Sequence, residues 1–329
     1  MIITRSPLRI SFLGGGTDLP QYYEQSEMGQ VLSFAFNKYI YIAAHPLVED
    51  ASYLIKYSKQ EYVDSVEKIE HPAVREILKI FPQKGIDISI TSDIPSGTGL
   101  GSSSSFAVGL IHLITNYTKQ QLTKYELAKL ACEIEISLLK QPIGKQDQFA
   151  AAIGGVNHLK FFADGNVEIE SLNSQPNVID FINSCTLLIR SPGSRSASSK
   201  LNEQVKLLTD VQLKSSMLRQ YDLMKELVPQ GKIAMQQHDI KLFGNLINES
   251  WKIKKTFEKN ITNLQVNQKI AEVLKCGATG AKLLGAGGSG YILAVGEPDS
   301  LEKISETFQG TFIKPRVDIS GAEVIYNSD

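Results

Sequence analysis

The sequence predicts a mixed α and β chain of two domains, and three observations carry that prediction. The first half interleaves β-branched or alternating runs with helical periodicity. Residues from about Ser196 to Lys275 form long amphipathic stretches, and "TGAKLLGAGGSGYILAVG" near the far end returns to strand-like runs around a glycine-rich turn. With 329 residues and 42% apolar content the chain can bury a large core, and its length suits two domains of ordinary size.

In chain order, "RISFL", "YIYIAAH" and "IDISITS" read as strands, the last with Ile86, Ile88 and Ile90 on one face. Phe106, Leu110, Leu113, Ile114 and Tyr117 recur at helical spacing and predict a helix over Ser102 to Tyr117. A second helix, Lys124 to Leu139, opens at a capping box of Thr123 and Glu126; its apolar stripe is Leu127, Leu130, Ala131, Ile134 and Leu138. Three or four helices are expected between Ser196 and Lys275, broken near "VPQG" and "EKN". Trp251 shares a stripe with Phe243, Leu246, Ile247 and Lys254 that suits core packing. A last strand pair is expected around "TFIKPRVD" and "GAEVIY".

Composition narrows the function. A net charge of −1 without blocks of like sign gives no electrostatic case for nucleic acid or an anionic membrane as partner. No apolar run approaches the ~20 residues that span a bilayer, and the N-terminus lacks a signal-peptide layout. Cys132, Cys185 and Cys276 lack metal-ligand spacing and read as small core residues, and the histidines show no metal or relay spacing. A soluble, reduced, cytoplasmic protein is expected.

Chemistry concentrates in "PSGTGLGSSSSF", where glycines alternate at 97, 99 and 101 ahead of four serines and a helix. Glycine permits positive φ and close backbone approach, while a helix start offers unpaired N–H groups and the positive end of the dipole. Such a turn can cradle an anion or simply cap the helix, and four serines exceed what one cap needs. No Gly-Lys-Ser/Thr closes the loop, so it is not the standard P-loop. "LGAGGSGY" holds a formal G-x-G-x-x-G at Gly285, Gly287 and Gly290, but "YILAVG" follows as a strand where a dinucleotide fingerprint requires a helix.

"FLGGGTDLP", "PSGTGLGSSSS" and "KLLGAGGSGY", in that order, resemble the three motifs of the GHMP kinase family, and the likeness covers nearly the whole chain. It implies an α+β, two-domain GHMP kinase fold, with a ribosomal S5 domain 2-like N-terminal domain (1–190), a ferredoxin-like C-terminal domain (191–329) and the site between them. The resemblance assigns the ATP phosphates to Pro95, Gly97, Gly99, Leu100, Gly101, Ser102, Ser103 and Ser104, with Ser103 as Mg²⁺ ligand and Ser102 as the neighbouring candidate. Asp147 in "PIGKQDQFAAAIGG" falls where sugar-kinase members carry the catalytic aspartate, with Lys145 beside it and Arg9 as the nearby cation. Glu135 lies at the spacing of a second Mg²⁺ ligand. Gly15, Gly16, Thr17 and Asp18, together with Gly287 and Gly288, are assigned to substrate.

"SPLRISFLGGGTDLP", "PIGKQDQFAAAIGG" and "RSPGSRSASS" look like the branch that phosphorylates the anomeric hydroxyl of D-glycero-D-manno-heptose 7-phosphate. A phosphorylated acceptor wants a fixed cation, and Arg195 is the candidate among Arg190, Arg195 and Lys200. An L-fucose-type or other hexose 1-kinase, and a catalytically silent sugar-phosphate sensor, are the competing readings.

Overall fold

The computed structural model describes residues 1–48, 50–191, 205–208, 213–257 and 261–328. In chain order its strands are β1 (Ile2–Leu13), β2 (Gly29–Pro46), β3 (Tyr53–Lys56), β4 (Gln60–Val63), β5 (Ile86–Ser92), β6 (Val156–Phe161), β7 (Val167–Ser171), β8 (Thr186–Arg190), β9 (Gly280–Leu283), β10 (Tyr291–Val295), β11 (Phe312–Ile313) and β12 (Glu323–Asn327). The described helices are the single turn α1 (Pro20–Tyr23), then α2 (Pro72–Ile80), α3 (Ser102–Tyr117), α4 (Lys124–Cys132), α5 (Gln146–Ile153), α6 (Pro176–Cys185), α7 (Lys214–Gln236), α8 (Ile240–Lys255), α9 (Leu264–Lys275) and α10 (Pro298–Thr307).

β2 organises the first sheet. It pairs antiparallel with β1 along most of its length, then divides its other edge, Gly29–Phe34 pairing with β6 and Ile40–Pro46 with β5. The sheet runs β12-β1-β2-β5-β3-β4, with β6 and β7 branching from β2. The register of β1 shifts between Pro7 and Leu8, at a residue with no N–H to give to the ladder, just before Arg9. The second sheet is β11-β8-β10-β9, antiparallel throughout.

α3 has the predicted bounds and is buried on nearly all sides against β1, β2, α4 and α5, which explains why its sequence is so apolar. α4 opens with both halves of the expected capping box. The predicted stripe then fails at Leu138, which is 49% exposed. Residues Glu133–Leu138 form a π turn, with the Leu139 N–H bonding the Ile134 carbonyl at 2.9 Å, so one extra residue per turn moves Leu139 inward and Leu138 out.

The break expected at "VPQG" is absent, because α7 runs through Pro229. Proline leaves the carbonyl four residues earlier without its N–H, and here the Gln30 side chain supplies the donor, at 3.0 Å from the Lys225 oxygen. The "EKN" break, residues 258–260, lies outside the described residues. The final strands do not pair with each other: β11 joins β8, and β12 returns to β1. Sheet membership therefore departs from a division at 190/191 at both ends, since β8 belongs to the second sheet and β12 to the first.

Aromatic rings close the seam between the two units. Phe12 of β1 stacks on Phe34 at 4.9 Å and meets Phe243 of α8 edge-on at 5.1 Å, and Phe243 meets Phe181 of α6 at 5.5 Å. Among the described residues no helix is long and apolar enough to cross a membrane.

Candidate active site

The loop before α3 puts Gly97, Gly99 and Gly101 at φ 75°, 78° and 76°, and the residues between them are not left-handed. This alternation curls backbone N–H groups towards one side, and Gly101 hands the curl to the first turn of α3, whose N–H groups have no partner within the helix. A Cβ on Gly101 would lie 3.2 Å from Asp147 Oδ2 and 3.1 Å from Arg9 Cγ, so the anion-binding turn and the candidate catalytic pair are in contact.

Arg9 Nε and Nη2 donate to the two carboxylate oxygens of Asp147 at 2.6 and 2.7 Å, and Nη1 donates to the Gly99 carbonyl at 2.8 Å. The fork orients the carboxylate and ties the loop to β1. Asp147 is 22% exposed at the first turn of α5 and faces the cleft.

Behind the serines, Ser103 Oγ donates to Glu135 Oε1 and Gln148 Nε2 to Oε2, each at 2.7 Å. Glu135 is 1% exposed on the π turn, and burial pushes its carboxyl above the ordinary range, partly offset by the serine and glutamine hydrogen bonds. Glu133 points to solvent.

Asp18 is 3% exposed and accepts from the Gly16 N–H at 3.0 Å, the Gln146 N–H at 3.2 Å and the Gln146 side chain at 3.3 Å. Burial, reinforced by the charge of Asp147, raises it to about 6. Gly144 abuts this carboxylate so closely that a Cβ there would overlap it.

A cleft open to solvent separates this wall from α8 and the β9 turn. Arg9, Gly15, Gly16, Asp18 and Asp147 line one side, and Lys254, Lys282 and Leu283 to Ala286 the other. Sequence reasoning missed both lysines. Lys254 stood in the apolar stripe of Trp251 and Lys282 interrupts an apolar strand, and a cation on a buried face was the available signal.

Other expected site residues are placed elsewhere. The Lys145 ammonium donates to the Gly165 carbonyl at 3.0 Å and lies 5.0 Å from the Tyr23 ring, away from Asp147. Thr17 is fully buried, its hydroxyl donating to the Gly14 and Gln30 carbonyls, so it braces the first glycine turn and does not line the cleft. Gly287 packs on Ile261, and Gly288 bonds Ile261 and Asn263, so both anchor the third glycine turn and lie behind the cleft lining. Pro95 is exposed, and its carbonyl accepts from Thr98. Leu100 is buried, its carbonyl accepting the Arg9 N–H at 3.0 Å. Arg195 and Lys200 lie outside the described residues.

An anion-binding helix start, a clamped carboxylate and a polar cleft beside them define a phosphoryl-transfer enzyme. The models of the GHMP kinases N-terminal domain and C-terminal domain match residues 62–155 and 232–314. The chain belongs to the GHMP kinase family, and with heptose phosphate kinase and galactokinase among its relatives it is an ATP-dependent sugar kinase. It is 28% identical over 310 residues to D-glycero-alpha-D-manno-heptose 7-phosphate kinase of Campylobacter jejuni, covering 90% of each chain. Over 343 residues it is 26% identical to galactokinase of Thermotoga neapolitana, covering 94% of this chain and 93% of that one. Its fold matches the crystal structure of a D-glycero-D-manno-heptose 1-phosphate kinase from Bacteroides thetaiotaomicron with a TM-score of 0.80 over the whole of both chains, at 22% identity.

Proposed function

We propose that the enzyme transfers the γ-phosphoryl group of ATP to the anomeric hydroxyl of D-glycero-D-manno-heptose 7-phosphate, giving the 1,7-bisphosphate. The observation that carries the mechanism is the Arg9–Asp147 fork held against Gly101, which sets a carboxylate beside the start of α3. The heptose assignment draws on the 28% likeness to the Campylobacter jejuni enzyme over nine-tenths of both chains.

The curled loop from Gly97 to Gly101 and the first turn of α3, Ser102 to Ser104, receive the ATP phosphates through backbone N–H groups. Mg²⁺ fits Ser103 and Glu135, a hard pair of oxygen donors already in contact. With two protein oxygens as ligands, phosphate oxygens and water would complete the shell of the ion. When bound, the ion offsets the charge of the transferring group.

Asp147 accepts the acceptor hydroxyl's proton, or aligns that hydroxyl for in-line attack, with Arg9 fixing its direction. Asp18, with Gly15 and Gly16 beside it, accepts hydrogen bonds from sugar hydroxyls. A coupled ATPase assay across heptose 7-phosphate, fucose, galactose and mannose tests the assignment. Turnover is expected with the heptose phosphate, and faster turnover of a hexose would replace it with the hexose 1-kinase reading.

A further inference from the structure

The cleft is electrostatically two-sided. Asp18 and Asp147 stand on one wall, and Arg9, the cation of that wall, has three nitrogens engaged by Asp147 and Gly99. Lys254, half-buried in the last turn of α8, and Lys282, buried in β9, stand on the other. Each ammonium makes a single hydrogen bond, Lys254 to the Gly285 carbonyl and Lys282 to the Phe12 carbonyl, and neither is ion-paired among the described residues. An ammonium carries three donors, so each of these two cleft-lining lysines keeps donors to offer.

Cations held in such a wall without a direct ion pair are costly and are stabilised by an anionic partner. Burial pushes Lys254 down to about 8, with Arg9 lowering it further and Asp18 raising it in part, and burial together with the charges of Lys254 and Arg9 pushes Lys282 well below the ordinary range. An anion entering this wall would offset the charge of both lysines at once. A neutral sugar supplies hydroxyls, which satisfy donors but not charge.

We propose that Lys254 and Lys282 seat the phosphate that the acceptor already carries, while Asp18 and Asp147 take its hydroxyl end. The proposal rests on the sugar-phosphate reading given above. The spacing suits it: Phe12, whose carbonyl holds Lys282, lies three residues beyond Arg9, roughly 10 Å further along a strand. A heptose spans a comparable distance between its C1 hydroxyl and its C7 phosphate. Gly285 and Ala286, small residues, line the cleft beside Lys254.

The test compares Lys254→Met and Lys282→Met with wild type, using heptose 7-phosphate and unphosphorylated heptose at saturating ATP. For the phosphorylated acceptor kcat/KM should fall about 10- to 100-fold, chiefly through KM, and that fall should exceed the one on unphosphorylated heptose by about tenfold or more. Equal losses on both acceptors, or a loss confined to kcat, overturn the proposal. Wild-type enzyme that turns over neither heptose removes the acceptor assignment and leaves the lysines to a separate test. Inorganic phosphate is then titrated calorimetrically into the Mg²⁺–ADP complex; weaker binding in both variants supports the seat, and unchanged binding overturns it. Should a variant fail to fold, inhibition of wild type by inorganic phosphate decides the matter: competition with heptose 7-phosphate supports the seat, and its absence overturns it.

Discussion

Arg9 leaves Asp147 little freedom of direction, and that sets what an isosteric replacement should do. Asp147→Asn keeps an oxygen for the guanidinium but removes the proton acceptor, so kcat should fall by about 10²- to 10⁴-fold while ATP binding, followed by calorimetry, stays close to wild type. A loss under about tenfold would reduce Asp147 to a positioning residue. Asp18 carries a pH dependence. Because folding raises it to about 6, KM for the acceptor should climb as pH drops through that value, where the carboxylate becomes protonated and stops accepting from sugar hydroxyls. Asp18→Asn should start from a high KM and lose that acid limb. The same shift acts on stability with the opposite sense: its contribution is complete below the unfolded value and is lost as pH rises through about 6. Arg9, Asp18, Glu135 and Asp147 were legible because each sits in or at fixed spacing from a glycine-bearing motif. Lys145 sits in the same motif, yet its ammonium turns to Gly165, a rotamer choice that spacing does not encode.

At the level of elements, the loop before α3 makes the sharpest demand on sequence. Gly101→Ala would force a left-handed alanine against Asp147 and Arg9. Denaturant unfolding should register a loss of about 1–2 kcal/mol from the backbone alone, and kcat/KM should drop more than that stability change explains. α3 was readable because its period, its glycine start and its serines agree. The turn after α4 was not, since a π register begins without a marker and moves Leu138 to the surface. Pro229 misled for a tertiary reason: the donor that replaces its missing N–H comes from Gln30, almost two hundred residues earlier.

For the molecule as a whole, local pattern located the strands but not their partners. β12 reads as a strand from its own residues, yet only the assembled sheet reveals that it covers the free edge of β1, the strand that carries Arg9. Removing residues 323–328 should therefore expose that edge, lower the melting temperature by about 5 °C or more and promote self-association visible by size-exclusion chromatography. A last consequence follows from Gly99 and Gly285, whose backbones touch so closely that neither tolerates a side chain. Gly99 lies in the loop proposed for the nucleotide's phosphates, and the Gly285 carbonyl accepts from Lys254 on the opposite side of the cleft. Any change of affinity that an occupant of one side works on the other through this contact must be returned by the same factor.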